Sequence, residues 1–142
     1  MSEAISRAEH NKQLVRDCFD AWAQGTGGPF DLLDDDAVWT IEGRSIAAKT
    51  YVGRKCFIRE VIRPLNARLR GRLKPKVRSI CADGDTVVIL FDGEATARDG
   101  KPYTNTYFWQ FEMQGGKVVK ASAMYDSITF NDLWTRVAPA EG

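Results

Sequence analysis

The sequence predicts an α+β domain in which helices cover one face of a bent, largely antiparallel sheet, and three observations carry that reading. Apolar residues in the first half recur at helical spacing, and from Arg72 to about Phe130 the period switches to two. Three tight-turn pairs, Asp83-Gly84, Asp99-Gly100 and Gly115-Gly116, divide the second half into four strand-like runs. Helices first and hairpins afterwards fit a sheet covered on one side only. At 142 residues, with no internal repeat or linker, the chain reads as one domain spanning residues 1–142.

Each element has a local cause. Ser6-Arg7-Ala8-Glu9 fits a capping box, and Leu14, Val15, Cys18, Phe19 and Trp22 form one apolar stripe behind it. Gly25, Gly27 and Gly28 end that helix, and Pro29 suits the first position of a short helix over Pro29 to Leu33. Ala37 to Ile41 reads as a strand. Gly53 to Leu69 is again helical, with Phe57, Val61, Ile62, Leu65 and Leu69 on one side and a kink or break predicted at Pro64. A terminal helix is predicted around Asn131 to Val137, followed by a frayed tail from Ala138 to Gly142.

Composition excludes several classes of function. Hydrophobic residues make up 44% and charged residues 27%, as in ordinary globular domains, and the formal net charge of +1 gives no general pull toward nucleic acid. The basic run from Arg68 to Arg78 has no aromatic residue for base stacking, so it reads as a solvated strand face. The polar N-terminus, Met1 to Asn11, has no secretory apolar stretch, and no run approaches the roughly 20 residues of a membrane span. Cys18, Cys56 and Cys81 have no metal-ligand spacing and read as reduced thiols packed as small hydrophobes, which points to the cytoplasm. A single histidine, His10, argues against Ser–His–Asp, Cys–His or histidine-metal chemistry. Gly25-Thr26-Gly27-Gly28 lacks the strand and lysine of a phosphate loop, and no cofactor is implied.

Two-residue hairpin loops would fix the strand register. A Gly115-Gly116 loop sets Asp126 opposite Asn105, Met124 opposite Tyr107 and Ser122 opposite Trp109. An Asp99-Gly100 loop sets Asn105 opposite Glu94 and Tyr107 opposite Asp92, and an Asp83-Gly84 loop sets Val77 opposite Leu90 and Leu73 opposite Glu94. Glu94, Asn105 and Asp126 then share one row. That face also carries Leu73, Val77, Val88, Leu90, Tyr107, Trp109, Phe111, Met124, Ile128 and Phe130. Arg72, Lys74, Lys76 and Arg78 require the opposite face to be outside. On that face Val87, Ile89, Phe91, Phe108, Ala121, Ala123 and Tyr125 would form a broad apolar patch, which predicts a homodimer packed through the outer sheet face.

The row sets Glu94 and Asp126 on the order of 10 Å apart. In an apolar cavity at least one of the two carboxyls would have a raised pKa suited to proton transfer. Asp126 is the candidate general acid/base, Glu94 or Asp92 its partner, and Asn105 the holder of a ligand oxygen; a purely structural network explains the same row. Trp22, Trp39 and Tyr107, with Met124 opposite Tyr107, could line a pocket for an apolar ligand, or could be plain core.

Three segments resemble the NTF2-like superfamily, in its SnoaL-like polyketide-cyclase and limonene-epoxide-hydrolase branches and the related ketosteroid isomerases. They are Asp34-Asp35-Asp36-Ala37-Val38-Trp39, then Tyr51-Val52-Gly53-Arg54, and Gly116-Lys117-Val118 leading to Met124-Tyr125-Asp126. The resemblance implies a cone, a curved mixed or antiparallel sheet wrapped around N-terminal helices with an internal pocket, often dimeric through the sheet. It implies proton transfer by the aspartate ending the last strand, here Asp126. Phe91-Asp92-Gly93-Glu94 lacks the arginine of the epoxide hydrolases, and Ile41-Glu42-Gly43 is a poor match to the isomerase base. Together these readings predict an enzyme acting by acid/base chemistry on a small hydrophobic cyclic or polyketide-like molecule. The alternatives are a non-catalytic container for such a ligand and a dimerisation module of the same shape.

Overall fold

Ser6 starts the first helix, its Oγ accepting the Glu9 N–H at 3.1 Å. In the computed structural model, which describes residues 6–140, this helix α1 runs Arg7–Gln24 and stops at Gly25, whose φ of 78° ends it in the left-handed region. Val15 and Phe19 on its apolar stripe are fully buried. A 3-10 turn follows at Pro29–Leu32 and leads into β1 (Leu33–Ile41), four residues longer toward the N-terminus than its pattern predicts. The short β2 (Thr50–Val52), which the sequence reading did not single out, pairs with β1.

The predicted kink at Pro64 takes the form of a π turn. The helical segment comprises α2 (Arg54–Phe57), a π turn over Ile58–Ile62 and α3 (Arg63–Asn66). Proline has no N–H to donate, and the chain absorbs this one residue earlier, where the Arg63 N–H reaches back to Ile58 O. The helix ends before Leu69, which already belongs to β3 (Leu69–Asp83). Arg68, at the junction, is buried. Its guanidinium donates to Trp134 O and Pro64 O at 3.1 and 2.9 Å and lies 4.1 Å from the Trp134 ring centre.

Strands β4 (Thr86–Ala97), β5 (Pro102–Gln114) and β6 (Lys117–Tyr125) complete a curved six-stranded open sheet in the order β2-β1-β6-β5-β4-β3. Only the β1–β6 pair is parallel. Helix α4 (Ser127–Arg136) starts four residues earlier than expected because Asp126 caps it, accepting the Ile128 and Thr129 N–H groups at 3.0 and 3.4 Å. The tail is held as far as residue 140 by Arg98 Nη1 donating to Ala138 O and Ala140 N to Ala67 O, both at 2.7 Å; residues 141 and 142 lie outside the described residues.

The expected register is corrected in all three hairpins. The loop after β4 has three residues, Arg98 to Gly100. Ala97 N donates to Lys101 O at 2.8 Å, and Gly100 takes a φ of 91°. Asn105 therefore pairs with Gly93, Glu94 with Thr104, and Tyr107 with Phe91. The Gly115-Gly116 loop is as predicted, but Val119 is an extra residue in β6. Pairing steps from Met113–Val118 to Glu112–Lys120 and sets Tyr107 against Tyr125 and Phe108 against Met124. In the first hairpin Asp83 pairs with Thr86, Val77 faces Phe91, and Lys74 rather than Leu73 lies opposite Glu94.

A shift of one residue exchanges the two faces of a strand. β5 keeps its predicted phase, with Tyr103, Asn105, Tyr107, Trp109, Phe111 and Met113 inward and buried. β4 and the second half of β6 are reversed: Val87, Ile89, Phe91, Ala121 and Ala123 form core, whereas Val88, Leu90 and Met124 face outward. The broad outer patch contracts to the cross-strand row Leu90, Phe108 and Met124. Ile128 of α4, 81% exposed, is not in the core as predicted. The basic β3 positions are exposed as expected.

Candidate functional site

Between the helices and the inner sheet face lies a cavity of about 280 Å³. α1 contributes Trp22, the 3-10 turn Phe30, β1 Trp39, and the second helical segment Phe57, Val61, Ile62 and Leu65; Tyr107, Trp109 and Tyr125 come from the sheet. Trp39 stacks on Phe57 at 4.3 Å and meets Trp109 edge-on at 5.0 Å, and Tyr107 stacks on Phe91 at 4.9 Å. Gly93 makes room for this last pair: a Cβ there would lie 3.0 Å from Leu73 Cδ2 and from Tyr107 Cε1.

The polar groups of the wall are the hydroxyls of Tyr107 and Tyr125 and the indoles of Trp22, Trp39 and Trp109. Tyr107 and Tyr103 share a hydroxyl hydrogen bond of 2.8 Å, and Tyr125 shares another of 2.8 Å with Ser45. Burial pushes the phenol pKa of all three tyrosines up, Tyr107 most strongly, so each keeps its proton at neutral pH. The rim carries Asp31, whose Oδ2 accepts the Gly28 N–H at 3.1 Å, and the exposed Asn66.

Trp22, Trp39 and Tyr107 stand on the cavity wall. The acids stand elsewhere. Asp92 lies on the outer face, taking two hydrogen bonds from Arg78 at 2.9 and 2.7 Å and one from Thr106 at 2.8 Å. Arg78 and then Thr106 hold its carboxyl below the usual value, the opposite of a raised general acid. Glu94 is exposed on that face, and the Asp126 carboxylate is engaged in capping α4. The three acids do border one groove with Lys76, Thr104 and Asn105, but it lies on the outer face of the sheet. Met124, expected beside Tyr107, is 52% exposed, because the bulge turns it away.

Asn105 is buried, and its hydrogen-bonding capacity is spent within the protein. Its Oδ1 accepts Thr106 N and Asp126 N at 2.8 and 2.9 Å, and its Nδ2 donates to Tyr103 Oη and Asp126 O at 3.0 and 3.1 Å. It extends the β5–β6 ladder to the residue where α4 is capped. The sequence reading missed Asp31 and Tyr125, which line the cavity, and Tyr103, which bonds to Tyr107. Tyr103 follows from the strict alternation of β5 that already placed Tyr107 inside, whereas nothing in the local sequence marks the bulge that turns Tyr125 inward. Cys18, Cys56 and Cys81 are unpaired, and Cys81 is exposed rather than packed. Among the described residues no group of three histidines, cysteines or carboxylates is placed to hold a metal, and no helix is long and apolar enough to cross a membrane.

Residues 15–121 match the SnoaL-like domain family. No curated protein matches the chain by sequence. The fold is shared with Bal32a, from a soil-derived mobile gene cassette, at 24% identity and a TM-score of 0.74 over 91% of this chain and 99% of that one. An NTF2-like protein from Burkholderia thailandensis E264 gives 22% identity and a TM-score of 0.71 over 87% and 95% of the two chains. TerC, co-crystallised with polyporic acid, gives 20% and 0.68 over 88% and 98%.

Proposed function

Because the chain belongs to the SnoaL-like family, we propose that its cavity receives a small, largely apolar cyclic molecule, held by aromatic contact rather than by charge. The carrying observation is the cavity of about 280 Å³ bounded by Trp22, Phe30, Trp39, Phe57, Tyr107 and Trp109, with no lysine, arginine or histidine in its lining. Polyporic acid, co-crystallised with TerC, which shares this fold, supports a small-ligand reading. Container function is favoured over the acid/base enzyme first expected, since Asp92, Glu94 and Asp126 border the outer groove and none of them lines the cavity. Titration of tryptophan fluorescence with 2-ethylnaphthalene tests this reading. Saturable quenching that is lost in Ala123→Leu, which fills the floor beside Trp109, is expected; quenching that survives the substitution refutes an internal site.

Asp31 supports a second reading, because it is the one carboxylate lining the cavity. On that reading it exchanges a proton with a ligand at the mouth, and turnover of any substrate found would be lost in Asp31→Asn with binding retained. We also propose a homodimer through the outer sheet face, now centred on Leu90, Phe108 (48% exposed) and Met124. Light scattering on Phe108→Glu should report a monomer where the parent chain reports a dimer, and a monomeric parent removes the proposal.

A further inference from the structure

We propose that the mouth of the cavity prefers an organic ammonium: an arylalkyl amine with its apolar body inside and its protonated nitrogen among Asp31, Trp22 and Phe30. This deepens the reading above and rests on the cavity being a ligand site. Gly28 ties the three side chains together. Its N–H donates to Asp31 Oδ2 at 3.1 Å, and a Cβ on it would lie 3.6 Å from Trp22 Cγ. The Trp22 and Phe30 ring centres stand 5.9 Å apart at 68°, so two rings form a corner beside the carboxylate. Gly28 and all three side chains line the cavity. A ligand can reach this end: the Asp31 side chain is 68% exposed, and Trp22 and Phe30 are only half-buried.

The charge at the mouth has one sign. Asp31 is the one carboxylate in the lining, which holds no lysine, arginine or histidine. Its Oδ1 makes no hydrogen bond among the described residues. Arg54 Nη2 stands 4.0 Å from it, beyond hydrogen-bond reach, and Arg54 Nε is spent on Phe30 O at 3.0 Å. Burial pushes the nearby Cys18 thiol up to about 12, and Asp31, Asp17 and Asp20 add to the rise, as a negative local potential requires. Aromatic faces are the negative side of the ring quadrupole, so Trp22 and Phe30 attract a cation that Asp31 also attracts. An ammonium at this exposed rim keeps part of its water, which spares it most of the desolvation cost of a buried charge. An anion would meet the same carboxylate and ring faces with no cation in the lining to offset them. Aromatic contact still holds the body of the ligand; the rim charge decides which bodies are preferred.

The test compares three naphthalenes of similar size that differ in one polar group: 2-naphthylmethylamine, protonated at neutral pH, 2-naphthylmethanol and 2-naphthoate. By isothermal titration the amine should bind the parent protein about fivefold more tightly than the alcohol, and the carboxylate more weakly than either. Asp31→Asn should bring the amine within about twofold of the alcohol and leave the affinity of the alcohol unchanged. Raising the salt from about 0.05 M to about 0.5 M should narrow the gap in the parent protein, a readout that needs no substitution. An amine no tighter than the alcohol, a carboxylate that binds best, or an amine preference intact in Asp31→Asn overturns the assignment. Saturable binding of 2-ethylnaphthalene alongside any of these leaves the cavity as a binding site. Failure of every probe to bind saturably removes the binding reading and this inference with it.

Discussion

Replacing Asn105 with alanine separates a structural bridge from a ligand contact. The substitution removes four hydrogen bonds, of 2.8, 2.9, 3.0 and 3.1 Å. At about 1 kcal/mol net each, the sum is about 4 kcal/mol. Asp126 is exposed, so water re-solvates part of its freed backbone, and a loss of about 3 kcal/mol remains. That is a large share of the ~5–15 kcal/mol by which domains of this size are stable. It corresponds to a melting temperature lower by roughly 10 °C. Urea unfolding followed by tryptophan fluorescence measures the loss, and 2-ethylnaphthalene affinity of the folded variant should change less than about twofold, on the order of 0.4 kcal/mol. A loss below about 1 kcal/mol, well short of four net hydrogen bonds, together with abolished ligand binding, would refute the bridge and return Asn105 to the ligand.

Three further outcomes follow from the geometry. Gly93→Ala should destabilise by about 1–3 kcal/mol in urea and weaken ligand binding, because the stacked Tyr107 ring cannot yield to a Cβ 3.0 Å away. Asp92 has a folded pKa below its ordinary 3.8, so its contribution is present above that value and lost as pH falls through the lower folded one; Asp92→Asn should flatten the stability profile across that acid window, as read by urea midpoints. Arg68→Met should cost about 2–4 kcal/mol, and Arg68→Lys should not restore it, since a point charge cannot bond Trp134 O and Pro64 O while stacking on the Trp134 ring; thermal melts of the pair check this.

The elements were legible because their causes are local. Ser6, Gly25 and the stripe from Val15 to Trp22 delimit α1, and the alternation Tyr103 to Met113 fixes which face of β5 is inside. Trp22, Trp39 and Tyr107 were found for the same reason: each sits on an element whose orientation its own sequence determines. The acids were misplaced because their orientation depends on counting across hairpins. Asp99-Gly100 is compatible with a two-residue or a three-residue loop, and the choice is made by Arg98 Nη1 and Asp99 Oδ2 bonding to Ala138 and Arg136, distant in sequence. The bulge at Val119 lies within an ordinary β-branched pair, Val118-Val119, and leaves no mark of its own. Asp126 was placed at the right end of β6, but its capping role appears only once α4 is seen to start at Ser127.

The spare residue in β6 also works as an adjustable spacer. Deleting Val119 would leave Lys120 opposite Glu112 and keep Ala123 and Tyr125 inward, whereas pairing Val119 itself with Glu112 would turn Ser122 and Met124 inward. A slip that took up the spare residue would thus rewrite the chemistry of the hollow with no change in sequence, whereas losing that residue would lock the present lining in place.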